Sequence, residues 1–133
     1  MKKILIGTHN RGKFKEISYL LSKKIIKFSP QKLKIKSPKE TGKTFEENSE
    51  LKAYYFSKFI KFPVISDDSG LCIKALGGKP GIYSARWAKK HGSFDKAMKF
   101  ILKKMEKKLN RSATFVCSLS LKYPKKKNNY SSR

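Results

Sequence analysis

Two short stretches carry residue types that could do chemistry together. Gly7-Thr-His-Asn-Arg-Gly-Lys-Phe14 follows a brief apolar run and departs by one residue from the phosphate-cradling pattern G-x-x-x-x-G-K-[ST]. A strand-to-helix turn with glycines at 7 and 12 can offer backbone amides and the positive end of a helix dipole to an anion. Thr8, Asn10 and Arg11 add donors, His9 in the same loop could donate to a phosphate oxygen, and Lys13 adds a fixed charge in the first helical turn. Phe14 replaces the hydroxyl that normally reaches Mg²⁺, which argues against a true P-loop kinase or ATPase and requires the metal to be held elsewhere.

The second stretch is Asp67-Asp68-Ser69-Gly70, after the apolar segment Phe62 to Ile65. α/β folds place ligand sites beyond strand ends, and Mg²⁺ takes hard oxygen ligands, commonly one or two carboxylates with substrate phosphates. One aspartate can face such a site while the other anchors a turn. An Asx-type turn without metal is the alternative. Six of the nine acidic residues, Glu40, Glu46, Glu47, Glu50, Asp67 and Asp68, crowd into this region of a chain whose net charge is +24. Thr44, Asn48 and Lys52 recur every fourth residue and share a helix face, where the lysine could hold phosphate oxygens or face solvent.

These residues need elements to hold them. Lys3 to Gly7 reads as a buried strand, and Lys13 to Leu21 as a helix whose apolar stripe includes Phe14 and Ile17. A short, poorly bounded strand is expected within Ile25 to Ile35. Thr44-Phe-Glu-Glu47 is a capping box opening a helix to about Lys61, halted by Pro63. Phe62 to Ile65 is expected as a strand, Asp67 to Gly70 as a turn, Leu71 to Leu76 as a further strand, and Gly77 to Gly81 as loop. Ser93 opens an amphipathic helix with Phe94, Ala97, Met98, Ile101, Leu102, Met105 and Leu109 on one stripe. Ala113 to Leu121 alternates as a half-buried strand. The fold class is α/β, with a mixed twisted sheet flanked by helices: one domain over 1–121 and a basic tail over 122–133 without apolar periodicity.

Composition sets limits. No apolar run approaches the roughly 20 residues that cross a bilayer, and no export signal opens the chain. Cys72 and Cys117 match no C-x-x-C spacing, so a reduced, cytoplasmic protein is expected. The positive charge invites polyanions generally, but it rests almost wholly on dispersed lysines with four arginines. Lysine lacks the bidentate fork used to read bases, so specific nucleic-acid binding is not expected.

Four motifs in order carry a resemblance: Thr8-His-Asn-Arg-Gly-Lys13; Glu40-Thr-Gly-Lys-Thr-Phe-Glu-Glu-Asn48 with Leu51-Lys-Ala53; Pro63-Val-Ile-Ser-Asp-Asp-Ser-Gly-Leu71; and Ala75-Leu-Gly-Gly-Lys-Pro-Gly-Ile-Tyr-Ser-Ala-Arg86. The chain resembles the inosine triphosphate pyrophosphatase family over residues 1 to about 121. The resemblance implies hydrolysis of aberrant purine nucleoside triphosphates (ITP, dITP, XTP) to monophosphate and pyrophosphate with Mg²⁺. It implies an elongated two-lobed fold that is usually homodimeric. By the same resemblance, Thr8, Asn10 and Lys13 grip the triphosphate, Glu40 and Asp68 hold Mg²⁺, Asp68 orients or deprotonates the attacking water, and Ser69 touches substrate. Family members run on for about another third of their length, with Phe-Gly-Tyr-Asp and Ser-His-Arg motifs that read the purine. Neither motif occurs here. The fold is therefore expected to be incomplete at its C-terminal side, with poor base selection and an exposed edge after Leu121. The alternative is an inactive polyanion- or nucleotide-binding remnant.

Overall fold

The computed structural model describes residues 2–124; the expected basic tail lies outside them beyond residue 124. Four helices and a five-stranded mixed sheet make up the regular structure among the described residues. The described residues group into two compact units, residues 2–42, 46–67 and 119–124 in one and 43–45 and 68–118 in the other.

The first unit is built on β1 (Lys3–Ile6), which runs parallel to β2 (Ile26–Phe28) on one edge and to the start of β3 (Val64–Ile73) on the other. Side chains alternate across a strand, so β1 feeds two cores. Leu5 packs with Ala53, Phe56, Val64 and Ile35 beside α2 (Phe45–Ser57). Ile4 and Ile6 pack with Ile17 of α1 (Arg11–Leu20), and Phe14 lies against this cluster. The expectation that Phe14 faces the core is met. α2 ends at Ser57 rather than near Lys61, because residues 58–62 leave the helix in turns ahead of Pro63. The second strand is three residues long; Pro30 and the turn through Lys34, at φ 59°, cut it short.

In the second unit the later part of β3 pairs antiparallel with β4 (Lys79–Pro80), with Cys72 opposite Pro80 and Ile73 opposite Lys79. Two expectations fail here. Asp67 to Gly70 is extended strand and not a turn, and residues 79–80 join the sheet instead of lying in loop. Tertiary bonds override the turn propensity of Asp, Ser and Gly: the Leu71 amide donates to Ser84 Oγ at 3.0 Å, and Ser84 Oγ donates to the Gly81 carbonyl at 2.7 Å. A methyl on Gly70 would collide with the Gly81 carbonyl oxygen and lie 2.7 Å from Ser84 Oγ, so only glycine lets the two segments approach this closely. Leu71 to Leu76 is not a separate strand; it is the end of β3 followed by a single 3₁₀ turn at Lys74–Leu76.

α3 (Ser84–Lys90), which the sequence did not announce, precedes α4 (Phe94–Met105). Ser93 caps α4 as expected, its hydroxyl accepting from the Lys96 amide at 3.1 Å. Ala97, Ile101 and Met105 are buried, and the last two meet Ile73, Leu71, Leu76 and Trp87. Phe94, Met98 and Leu102, read as the same stripe, are exposed. The buried core takes one apolar row, i, i+4, i+8, and leaves its neighbour in solvent.

β5 (Ala113–Lys122) pairs with β3. Its alternation is as expected, but its orientation inverts the usual rule. Phe115, Cys117, Leu119 and Leu121 are exposed, while Val116, Ser118 and Ser120 are half-buried. The Ser120 hydroxyl lies 2.7 Å from that of Ser49, which is fully buried on α2.

Candidate active site

Parallel strands end side by side, and the loops that leave them meet there. β1 and β3 are in register at Leu5↔Val64 and Ile6↔Ile65, so the loop leaving the end of β1 comes beside Asp67, two residues beyond Ile65 within β3. The Gly7 amide donates to the Ile65 carbonyl at 2.7 Å, and Ser66 Oγ donates back to the Gly7 carbonyl at 3.2 Å. A methyl on Gly7 would strike the Ser66 hydroxyl and sit 2.7 Å from the Phe56 ring, so the loop begins flush against β3.

From there the loop builds a helix start. Asn10 is the N-cap of α1, and its side-chain oxygen accepts from the Lys13 amide at 3.1 Å. Thr8 is buried, and its Oγ1 accepts from the Asn10 amide at 3.1 Å. These bonds consume acceptors. The Thr8 hydroxyl proton and the Asn10 amide hydrogens are not spent in them and keep their capacity to donate to a phosphate oxygen. Arg11 and Gly12 are exposed in the first turn of α1, where backbone amides lack intrahelical partners.

Lys13 Nζ lies 3.1 Å from Asp67 Oδ2, and the Asp67 side chain is 4% exposed against 28% for the lysine. The ammonium is thus fixed at the helix start, with the rest of its donor capacity on the more open side. The loop borders a depression of about 560 Å³ lined by Thr8, Asn10, Arg11, Phe14 and Lys15 together with Ser29 and Gln31. Two bonds tie the loop to the segment 31–35. Gln31 Nε2 donates to the His9 carbonyl at 2.9 Å, and His9 Nε2 lies 2.9 Å from the Ile35 carbonyl, to which it donates. His9 is therefore a brace of the loop.

Lys52 of α2 is buried and meets Glu40 at 3.5 Å. The choice left open for Lys52 between phosphate and solvent resolves, in this state, to neither: it balances the Glu40 carboxylate. Asn48, on the same face, accepts from the Gly42 amide at 2.8 Å through its side-chain oxygen and fixes the loop after Glu40. Asp68 and Ser69 follow Asp67 on β3 within the second unit; Asp68 is buried and Ser69 half-buried. Among the described residues no three His, Cys, Asp or Glu side chains gather as a metal cage. No helix among them is long and apolar enough to cross a membrane.

Asp67 as the partner of Lys13, and the bracing by Gln31 and His9, were absent from the sequence reading. For Asp67 a signal existed: parallel pairing of the first strand with the strand before the aspartates would have brought Lys13 and Asp67 together. The brace had no signal, since it depends on the path of an irregular turn.

Comparison with known proteins places this geometry. Residues 4–132 match the model of the Ham1 family. A dITP/XTP pyrophosphatase of Bartonella quintana is 43% identical over 124 residues, 86% of this chain and 58% of that protein. One of Oceanobacillus iheyensis is 42% identical over 135 residues, 98% of this chain and 68% of that protein. The solved structure of the Staphylococcus aureus Ham1 protein superposes with a TM-score of 0.79 at 36% identity, covering 92% of this chain and 64% of that one. A HAM1 protein from Coxiella burnetii gives 0.82 at 31% identity, covering 98% and 67%. The chain spans about three fifths of the length of curated relatives such as the Bartonella protein. The matched span holds the braced loop, the Lys13–Asp67 and Lys52–Glu40 pairs, most of β1 and strands β2 to β5, and the chain belongs to the Ham1 family.

Proposed function

We propose that this chain carries the triphosphate-binding and hydrolytic part of a nucleoside triphosphate pyrophosphatase acting on non-standard purine nucleotides such as dITP, ITP and XTP. The observation that carries the reading is the capped, braced loop from Gly7 to Lys13 with its lysine held at a helix start. The names of the relatives, dITP/XTP pyrophosphatases, supply the substrate class.

In this reading Thr8, Asn10, Lys13 and the first amides of α1 hold the triphosphate, with Arg11 at the open side and Lys52 turning from Glu40 toward a phosphate oxygen when one arrives. Asp68 orients the attacking water and accepts its proton, and Ser69 donates to the substrate. Lys13 stabilises the negative charge that develops on the departing pyrophosphate. The carboxylates of Glu40 and Asp68 are hard oxygen donors of the kind Mg²⁺ prefers. A pair of carboxylates completed by phosphate oxygens does not need a protein cage of three. When bound, the ion would neutralise phosphate charge that repels the nucleophile. A homodimer in the reducing cytoplasm is the accompanying expectation.

The test is pyrophosphate release from ITP, dITP, XTP and ATP with and without Mg²⁺, on the chain and on Asp68→Asn. The reading expects Mg²⁺-dependent release that falls about 10²–10⁴-fold in the variant. Release that survives Asp68→Asn refutes the assigned base. The +24 charge favours one other reading, a polyanion-binding protein without turnover. That protein would release no pyrophosphate and would bind RNA with steep salt dependence, unaffected by Asp68→Asn.

A further inference from the structure

Two lysines of the first unit meet carboxylates in different ways. Lys13 Nζ is 3.1 Å from Asp67 Oδ2, within hydrogen-bond reach of a side chain that is 4% exposed. Lys52 Nζ is 3.5 Å from Glu40 Oε2, well beyond the roughly 2.7–2.9 Å of a charge-assisted hydrogen bond. The exposures are also reversed, with the Lys52 side chain at 8% and that of Glu40 at 31%. The first pair is locked, whereas the second is a buried ammonium set loosely beside a carboxylate that is partly open to solvent.

The chain holds Glu40 in place more firmly than Lys52. The Gly42 amide donates to Asn48 Oδ1 at 2.8 Å, and a methyl on Gly42 would lie 2.7 Å from that oxygen and 2.8 Å from Glu47 Cβ. The segment carrying Glu40 therefore lies flush on α2, one helical turn before Lys52, and Glu40 keeps further contacts of its own. Lys52 reaches it on a flexible four-carbon stem and can leave by side-chain rotation alone. A carboxylate oxygen serves a hard divalent cation as it serves an ammonium, but two cations drawn to one carboxylate repel each other.

We propose that Lys52 and a divalent cation compete for Glu40, and that a phosphate chain relieves the competition by drawing the lysine onto its own oxygens. Glu40 is thereby guarded without nucleotide and opened to the ion when nucleotide arrives. The inference rests on the roles given to Glu40 and Lys52 under the proposed function and adds to them an order of events. The coupling is reciprocal: whatever removes the lysine strengthens the ion, and the ion loosens the lysine.

The probes are Mn²⁺ alone, followed by electron paramagnetic resonance of the free ion, and tripolyphosphate alone, titrated by calorimetry without metal. Lys52→Met should bind Mn²⁺ about tenfold or more tightly than the parent, the effect of removing a positive charge 3.5 Å from a partly screened ligand oxygen. Adding Glu40→Gln should abolish the gain. Lys52→Met should also bind tripolyphosphate about tenfold or more weakly. Mn²⁺ affinity within about twofold of the parent overturns the proposal, as does a gain that survives Glu40→Gln or undiminished tripolyphosphate binding. A further measurement needs no variant: in the unaltered chain, saturating Mg²⁺ should raise the rate of acylation of the Lys52 amine, read by mass spectrometry, about threefold or more, because the displaced side chain becomes accessible. An unchanged rate overturns the proposal equally. The catalytic reading fails by a different result: a chain that shows these effects and releases no pyrophosphate keeps the competition and loses the reaction, and a chain that releases pyrophosphate without them loses the competition alone.

Discussion

Replacing Lys13 with methionine leaves a carboxylate that is 4% exposed without the ammonium 3.1 Å away, and the cost can be worked from that distance. Coulomb attraction at this separation is about 5 kcal/mol at an effective dielectric of about 20 and about 1.3 kcal/mol in bulk water. Lys13 is partly open to solvent, which moves the pair from the first figure toward the second, and Asp67 keeps further contacts. We expect Lys13→Met to cost about 2–3 kcal/mol, below the about 3–5 kcal/mol of a fully buried pair broken on one side. For a chain of this length that lowers the unfolding midpoint by about 6–12 °C, at about 3–4 °C per kcal/mol. Asp67→Asn should cost less, because the lysine left behind can turn to water. The double variant should resemble Asp67→Asn alone, giving a coupling of about 2–3 kcal/mol in a double-mutant cycle by urea unfolding. Salt at about 0.5 M should reduce that coupling only slightly, since screening acts mainly on exposed charges. Additive effects, or a Lys13→Met midpoint within about 2 °C of the parent, would refute the claim that the lysine is fixed by a buried counter-charge. Titrated with tripolyphosphate by calorimetry, the same Lys13→Met variant should bind about tenfold or more weakly than the parent.

Gly70→Ala forces a methyl into the Gly81 backbone and should cost about 3 kcal/mol, seen as a lower urea midpoint at unchanged slope. Phe56 of α2 is fully buried in the cluster with Leu5 of β1 and Val64 of β3, so Phe56→Ala should cost about 3–5 kcal/mol by the same measurement. Ser120→Ala removes the partner of a buried hydroxyl and should cost about 0.5–1.5 kcal/mol; a stabilised variant would show that the inward-facing serine is not what orients β5.

The parts of the site that local rules govern were legible in the sequence. Glycines after an apolar run, a capping asparagine and a lysine three residues on define a strand-to-helix loop by themselves, and Ser93 announced α4. Phe14 on the apolar stripe of α1 was enough to exclude a hydroxyl ligand at that position. What failed depends on distant partners. Asp67 to Gly70 has the composition of a turn, yet ladder bonds and the contacts of Leu71 and Gly70 with residues 81–84 hold it straight. β4 gains its strand character only from pairing with β3. The alternation of β5 was correct, but periodicity says which residues share a face and cannot say which face the rest of the molecule covers.

The turn after β2 matters to the loop as scaffolding matters to an arch. Gln31 donates to the His9 carbonyl and His9 reaches Ile35, so the loop backbone is held before any ligand comes near. Under the proposed function, a nucleotide entering it would give up its own freedom but little of the protein's, and complex formation should be limited by encounter rather than by rearrangement. Residues 29–35, which need never touch a phosphate, thereby become a place where a single substitution such as Gln31→Ala slows capture without altering the chemistry of any group that performs it.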